Sequence, residues 1–483
     1  MAGMPSAPVL LWFRQDLRLA DNPALAAVGN RPLLPIFVVE EDAGDRWLPG
    51  AAARWWLQRS LGALGADLAV RGAPLVLLRG DPRALIPDLA RRIGATEVIA
   101  GRRYDPAGRA CDAAVQSALA AEGRCLRIVA GGVLREPAEF LNASGRPFAV
   151  YAAFARAMMA AADTPPPLPA PPRLRPVPDA PVGAALAELG LYPGPGEPDW
   201  AAEFQTLWTP GEAGAQTRLG RFLAQGLRDY GTRRNDPGIE GTSGLSPHLR
   251  WGEVSPRQVW QAVRAASAGD TAAGQPFLRE ILWREFSIHL LWHRPELPER
   301  PLRPAFAAFP WQPDPALLRA WQHGRTGYPI VDAGMRQLWR LGWMHNRVRM
   351  VAASLLVKHL LQPWQDGAAW FWDTLVDADL ANNSASWQWV AGSGIDAAPY
   401  FRVFNPVLQG ERFDPEGRYV RRFLPELARL PDRYLHRPWE APPVVLDAAG
   451  VRLGHDYPAP VIGLAEGRAR ALAAFAALRG GAT

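Results

Sequence analysis

Lysine is almost missing from this chain. Lys358 is the only one among 483 residues, so arginine supplies 52 of the 53 basic side chains. Together with abundant Ala, Gly and Pro, that ratio reads as a compositional bias of the genome. Arginine richness therefore says nothing by itself about a partner, and the net charge of +6 only permits a polyanionic one. Cysteine is nearly absent too: Cys111 and Cys125 exclude a disulfide framework and fit a reducing cytoplasm. No stretch reaches the ~18 apolar residues of a membrane span. The opening MAGMPSAPVLLWFR lacks the charged and apolar blocks of a signal peptide, so a cytoplasmic protein is expected. No GxGxxG follows the first strand-like run, so a dinucleotide site of the usual kind is not indicated. Neither a metal-ligand cluster nor an activated-nucleophile motif is present. A hydrophobic content of 48% against 21% charged residues is that of a globular chain rather than a disordered one.

What is abundant is tryptophan, with 20 residues, most of them beyond residue 200. Many belong in a core, because Trp is large and mostly buried.

The first ~135 residues alternate apolar β-rich runs with helical spacing, the pattern of a parallel α/β sheet. Strands are expected at Pro8–Phe13, Leu33–Val39, Pro74–Leu78 and Glu97–Ala100, with helices at Ala51–Leu64 and Arg83–Ile93. Between Pro165 and Pro181 there are nine prolines in seventeen residues, which can be neither helix nor central strand and should run extended. From Ala201 the spacing is overwhelmingly helical out to Leu478. The expected architecture is an α/β domain with a Rossmann-like parallel sheet over residues 1–135, a Pro-rich linker over 136–200, and a mostly α-helical domain over 201–483.

Several strings stand out. Gly241–Pro247 (GTSGLSP), with Tyr230 upstream, is a Gly-punctuated turn of small hydroxyl residues before a helix, able to present N–H and O–H donors to an anion. Such turns are common, since Ser and Thr cap helices everywhere. In Phe277–Phe286 (FLREILWREF), Phe277, Glu280 and Arg284 share a helix face beside Trp283. Read alone, that is a surface ion pair over a half-buried Trp. Gly342–Met350 (GWMHNRVRM) places Asn346 and Met350 one turn apart, with His345 before them as a structural histidine. Asp377–Trp389 (DADLANNSASWQW), PWQPDP around Trp311 and PWQDGAAWFW around Trp364 complete the set.

These strings, running in order from WFRQDLRLADNPAL at Trp12 to FNPVLQGERFD at Phe404, resemble the photolyase/cryptochrome family over nearly the whole chain, least in the linker and in residues 40–130. The resemblance implies a flavin-binding helical domain and light-driven DNA repair with FAD as cofactor and UV-damaged DNA as partner. By match, Tyr230, Thr242, Ser243, Gly244, Leu245 and Ser246 grip the FAD pyrophosphate. Arg349 pairs with Asp377 at the flavin ring edge, Asp379 faces its polar edge, and Asn383 lies beside N5. Glu280, Trp283, Arg284, Asn346, Met350 and Trp389 contact the lesion, with Glu280 also catalytic. Trp387, Trp364 and Trp311 relay an electron from the surface.

Arg233, Arg234, Arg347 and Arg402 are candidate phosphate contacts. Asn346, where relatives that repair the (6-4) photoproduct carry a second histidine, matches the branch that splits cyclobutane pyrimidine dimers. The alternative is a cryptochrome-type photoreceptor that signals without repair. A second, antenna chromophore, folate or deazaflavin, is open: the loop GRRYDP has Arg102 and Arg103 where the folate type usually carries an acid. No metal, membrane or obligate protein partner is implied, and the resemblance favours a monomer.

Overall fold

The computed structural model describes residues 7–41, 46–161, 164–191, 198–396 and 402–480. They divide into two compact units.

The first unit comprises the described residues of Met1–Leu227, Ser243–Pro295 and Val376–Asp379. Its centre is a five-stranded parallel sheet, ordered β3-β2-β1-β4-β5, from β1 (Val9–Phe13), β2 (Leu33–Glu40), β3 (Val76–Gly80), β4 (Glu97–Gly101) and β5 (Cys125–Val129). Val9 of β1 pairs with Leu33 on one side and Glu97 on the other. Every residue of β1 is buried, because helices cover both faces of such a sheet, and hence the run VLLWF is apolar throughout rather than alternating. Leu10, Trp12, Leu34, Ile36, Val98, Val115 and Leu119 join in one core cluster. The Rossmann-like sheet is the one expected, with two changes. The third strand starts later, at Val76, and β5 is additional. CLRIV is an edge strand whose Cys125 and Arg127 stay exposed, so it lacks the continuous apolar run that marks the buried strands.

The proline-rich stretch is extended and strapped to the sheet. Leu33 N donates to Arg175 O and Val177 N to Leu33 O, at 2.8 and 3.1 Å, while Leu174 N donates to Arg71 O at 2.8 Å. Proline removes donors, so the non-proline residues between carry these bonds. Residues 162–163 and 192–197 of the linker expected over 136–200 lie outside the described residues.

The second unit comprises the described residues of Arg228–Thr242, Glu296–Leu375 and Leu380–Thr483. It is built of helices, including Pro329–Leu341, Asn346–Ser354, Trp364–Thr374, Leu380–Ala391 and Leu464–Gly480. Two buried polar side chains fasten its loops. Asp332 accepts from Thr326 N, Thr326 Oγ1, Gly327 N and Tyr457 OH at 2.6–3.0 Å. Gln388 donates to Leu297 O and Arg300 O and accepts from Leu302 N, each at 2.8 Å. Among the described residues no helix is long and apolar enough to cross a membrane.

Candidate functional site

The structure places Ser243, Gly244, Leu245, Ser246, Glu280, Trp283, Arg284, Asp377 and Asp379 in the first unit. Tyr230, Thr242, Trp311, Asn346, Arg349, Met350, Trp364, Asn383, Trp387 and Trp389 fall in the second.

In the first unit the helix Thr271–His293 carries Glu280, Trp283 and Arg284. Its start is capped by Asp270, which accepts from Ala272 N, and Phe277 anchors it against Phe222 with ring centroids 4.5 Å apart. Glu280 and Trp283 are half-buried and share a face at i, i+3. Trp283 is stacked on Tyr151. Arg284 donates to Glu285 Oε1 at 2.8 Å and to Gly132 O at 2.9 Å, so two of its donors are held by the chain itself.

Glu285 escaped the sequence reading because its burial and its bond from Leu134 come from residues far along the chain. It is buried, accepts from Leu134 N at 2.6 Å, and burial pushes its carboxyl up to about 7 against the pull of Arg284. The unfolded chain releases this proton near 4.5 and the fold only near 7, so this group's contribution to stability falls as pH rises across that window. We expect Glu285→Gln to lack that slope. Relative to the variant, wild-type stability in urea titrations should drop by roughly 3 kcal/mol between pH 4.5 and 8, at 1.36 kcal/mol per unit. Parallel profiles would sink the assignment.

The GTSGLSP turn ends in the helix Ser246–Trp251. Gly244 sits at φ +62° and Leu245 N donates to Ser243 Oγ at 3.3 Å. One turn on, Arg250 Nε donates to Ala378 O at 2.5 Å, which ties this helix to the Asp377–Asp379 segment. Arg250 Nη1 is buried with no hydrogen-bond partner among the described residues. Burial lowers the Arg250 pKa, with Asp379 acting the other way. A buried guanidinium N–H without an acceptor is expensive, and this one fits a bound acceptor group.

In the second unit Tyr230 is buried, with Arg234 over its ring at 5.2 Å. Asn346 and Met350 fall one turn apart on the helix Asn346–Ser354, Asn346 exposed and Met350 half-buried. His345 caps that helix by accepting from Arg347 N at 3.2 Å. Burial, then the charges of Arg349, Arg347 and Arg234, hold its pKa down to about 4, so it is neutral at pH 7 and offers no acid. Arg349 Nε donates to Met344 O at 2.7 Å.

Arg347 donates to Asn235 Oδ1 at 2.7 Å and lies 4.4 Å over the Phe413 ring. Burial lowers its pKa, and so does repulsion from Arg234 and Arg412. Of the expected phosphate contacts, Arg234 and Arg347 thus share one cationic cluster. Arg412, which the sequence reading passed over, joins it within the FNPVLQGERFD string.

Asn383 Nδ2 donates to Ala368 O at 3.0 Å, which leaves its oxygen to accept. Trp389 is half-buried on the same helix. Trp387 is buried against Phe371 and Trp321, at 5.0 and 6.1 Å between centroids. It also lies over Gly367, where an added Cβ would come within 2.2 Å of the indole. Trp364, buried, starts the helix that bears Gly367. Trp311 is half-buried and packs on Phe309. Its strand of chain is bonded to the segment before Trp364: Gln312 N donates to Leu361 O, and Asp314 N to Gln362 Oε1, both at 2.8 Å. The chain segments that carry Trp311 and Trp364 are thus joined by hydrogen bonds, and Trp387 packs on the helix that Trp364 starts.

In the first unit, the crevice where a sheet of this order takes ligands opens at the carboxyl ends of β1 and β4. Here Arg14 donates to Asp112 and to Gly101 O, and Arg103 is paired with Asp105 at 2.6 Å and with Glu40 at 2.8 Å. A Cβ on Gly101 would sit 2.6 Å from the Asp16 carboxylate.

Residues 9–172 match the family model of DNA photolyase, and residues 277–477 that of the FAD binding domain of DNA photolyase. Both halves answer to one kind of protein, a flavoprotein with an α/β region ahead of a helical FAD-binding region. The chain is 47% identical to a deoxyribodipyrimidine photo-lyase of Agrobacterium fabrum, over 99% of each chain. The crystal structure of a bacterial class III photolyase from Agrobacterium tumefaciens superposes with a TM-score of 0.95 at 47% identity, covering 99% of both. Cryptochrome-1 of Arabidopsis thaliana is 39% identical over 95% of this chain and 69% of its own length. The chain belongs to the photolyase/cryptochrome family. Each unit by itself carries groups that suit FAD: in the first, the hydroxyls and N–H groups of Ser243–Ser246, the Arg250 N–H and the carboxylates of Asp377 and Asp379; in the second, the Asn383 amide.

Proposed function

We propose that this chain is a deoxyribodipyrimidine photo-lyase, splitting cyclobutane pyrimidine dimers in UV-damaged DNA under blue light. The observation that carries the reading is the 47% identity to a protein of that name over 99% of both chains. Glu280 and Trp283 on one helical face supply the chemistry such a reaction needs.

Tyr230, Thr242, Ser243, Gly244, Leu245 and Ser246 hold the cofactor's pyrophosphate, and Arg349, Asp377, Asp379 and Asn383 its flavin ring. FAD, when bound and reduced, supplies the light-excited electron. Asn383, its Nδ2 engaged by Ala368, offers Oδ1 as acceptor for a proton at N5 of the ring. Arg234, Arg347 and Arg412 take DNA phosphates, an affinity that falls steeply with salt. Trp283 replaces the stacking a flipped dimer gives up; Asn346, Met350 and Trp389 also contact the lesion, and Arg284 is braced by Glu285. Glu280 hydrogen-bonds the pyrimidines and stabilises negative charge arriving on a carbonyl, a preorganised electrostatic role. Trp387, Trp364 and Trp311 restore the reduced cofactor. On this reading residues 1–135, 136–200 and 201–483 serve as antenna-type domain, linker and catalytic domain of a cytoplasmic monomer.

The 39% identity to a plant cryptochrome supports a second reading, a photoreceptor without repair. One experiment separates them: purified protein with reduced FAD, an oligonucleotide carrying one thymine dimer, blue light, a dark control and Glu280→Ala. We expect light-dependent restoration of thymine. In the variant it should weaken by about tenfold or more, since a hydrogen bond to a charged group contributes about 1.5–3 kcal/mol. An intact dimer beside normally photoreducing flavin would favour the photoreceptor.

A further inference from the structure

Tyr151 opens the helix Tyr151–Ala160, which packs along Thr271–His293. Its ring lies on that of Trp283 with centroids 3.5 Å apart and planes inclined by 6°. Aromatic pairs left to themselves prefer an offset or edge-on arrangement, so this face-to-face overlap is held by its surroundings. The Tyr151 hydroxyl donates to Arg279 O at 2.8 Å, one residue before Glu280. Phe286 meets the rings of both Tyr151 and Trp283, at 5.9 and 6.1 Å. Phe154, one turn along, is buried against Phe286 and His289, and Phe148 N donates to His289 Nε2 at 3.0 Å. The short helix is thereby fixed to the long one, and Tyr151 with it.

We propose that Tyr151 is a positioning residue for lesion recognition: it clamps one face of Trp283 and the backbone beside Glu280, so that the opposite face of the indole is presented flat and still. The inference rests on the repair reading, which gives Trp283 and Glu280 to the dimer. A rotamer-rich side chain that must be ordered on binding weakens affinity by roughly three- to tenfold. A Trp already immobilised from behind avoids that loss. The benefit falls on the flipped dimer alone, since undamaged DNA puts no base on the platform.

The test compares Tyr151→Leu and Tyr151→Phe in the full chain with FAD bound. Affinities would be measured for one duplex with and without a single thymine dimer. Tyr151→Leu, which removes the flat ring, should lower the ratio of the two affinities roughly three- to tenfold while the affinity for undamaged duplex stays as in wild type. Tyr151→Phe keeps the stack and should restore most of the ratio. Should Tyr151→Leu fail to retain FAD, Tyr151→Met decides, filling similar volume without a planar face. An unchanged ratio, or equal weakening toward both duplexes, overturns the positioning role. Wild-type protein that does not distinguish the dimer overturns the repair reading, and this inference with it.

Discussion

Trp387→Phe should bind FAD as the wild type does and repair normally once its flavin has been reduced chemically, yet fail to photoreduce. Trp387 is buried among Phe371, Trp321 and Gly367, so phenylalanine keeps an aromatic ring in the same core and loses mainly contact area. A benzene ring gives up an electron far less readily than an indole, and a relay that starts with it loses its first member. Raising the barrier of that step by about 2.7 kcal/mol slows it a hundredfold, and we expect at least that loss in the rate of blue-light photoreduction with an external thiol. Equal photoreduction in variant and wild type would show that another indole serves and would remove Trp387 from the relay. A variant that also fails to repair after chemical reduction would point to displacement of the flavin instead.

How much of this was legible in the sequence depended on the range of the interactions concerned. Strands β1, β2 and β4 announced themselves because both their faces are covered and their side chains are almost all apolar. β5, at the edge with Arg127 and Cys125 exposed, did not. The extended course of Pro165–Pro181 followed from proline's fixed φ. Its bonds to Leu33 and Arg71 did not, since nothing local specifies them. Glu280 and Trp283 could be placed on one face from helical periodicity alone, but their chemistry needed a resemblance carried by strings spread over hundreds of residues. Tyr151, Glu285, Arg250 and Arg412 were missed for one physical reason. Each matters through a partner distant in sequence or through an unpaired atom, and neither leaves a periodic trace. His345 is the converse case: read as a structural histidine, it is a buried helix cap whose burial keeps it neutral, and that detail only the structure supplies.

Glu253→Ala should destabilise the first unit by about 3–5 kcal/mol, the loss typical of one partner removed from a buried charged network. Glu253 is fully buried. Its Oε1 accepts from Trp56 Nε1 at 2.9 Å and from Gly211 N at 2.8 Å, and its Oε2 meets His248 Nδ1. Alanine would leave those groups in a space too apolar to satisfy them, at about 1–3 kcal/mol for each unpaired donor. Glu253→Gln is the informative companion. Its Oε1 still accepts from Trp56 and Gly211, and its amide N–H faces His248, which can shift its proton to Nε2 and accept, so most of the stability should return. With a urea m-value of about 3 kcal/mol per molar, the alanine variant's midpoint should fall by more than 1 M and the glutamine variant's by under about 0.5 M. A shift below 0.3 M for alanine would mean that water or a neighbour replaces the carboxylate. The consequence reaches the cofactor, because His248 lies on the helix that begins at Ser246 and leads out of the GTSGLSP turn. Close packing also pins that helix's far end, where a Cβ on Gly252 would strike Gln15 O at 2.1 Å. Loosening the Glu253 hub frees the near end, so FAD retention should decline in step with stability in the alanine variant and hold in the glutamine one.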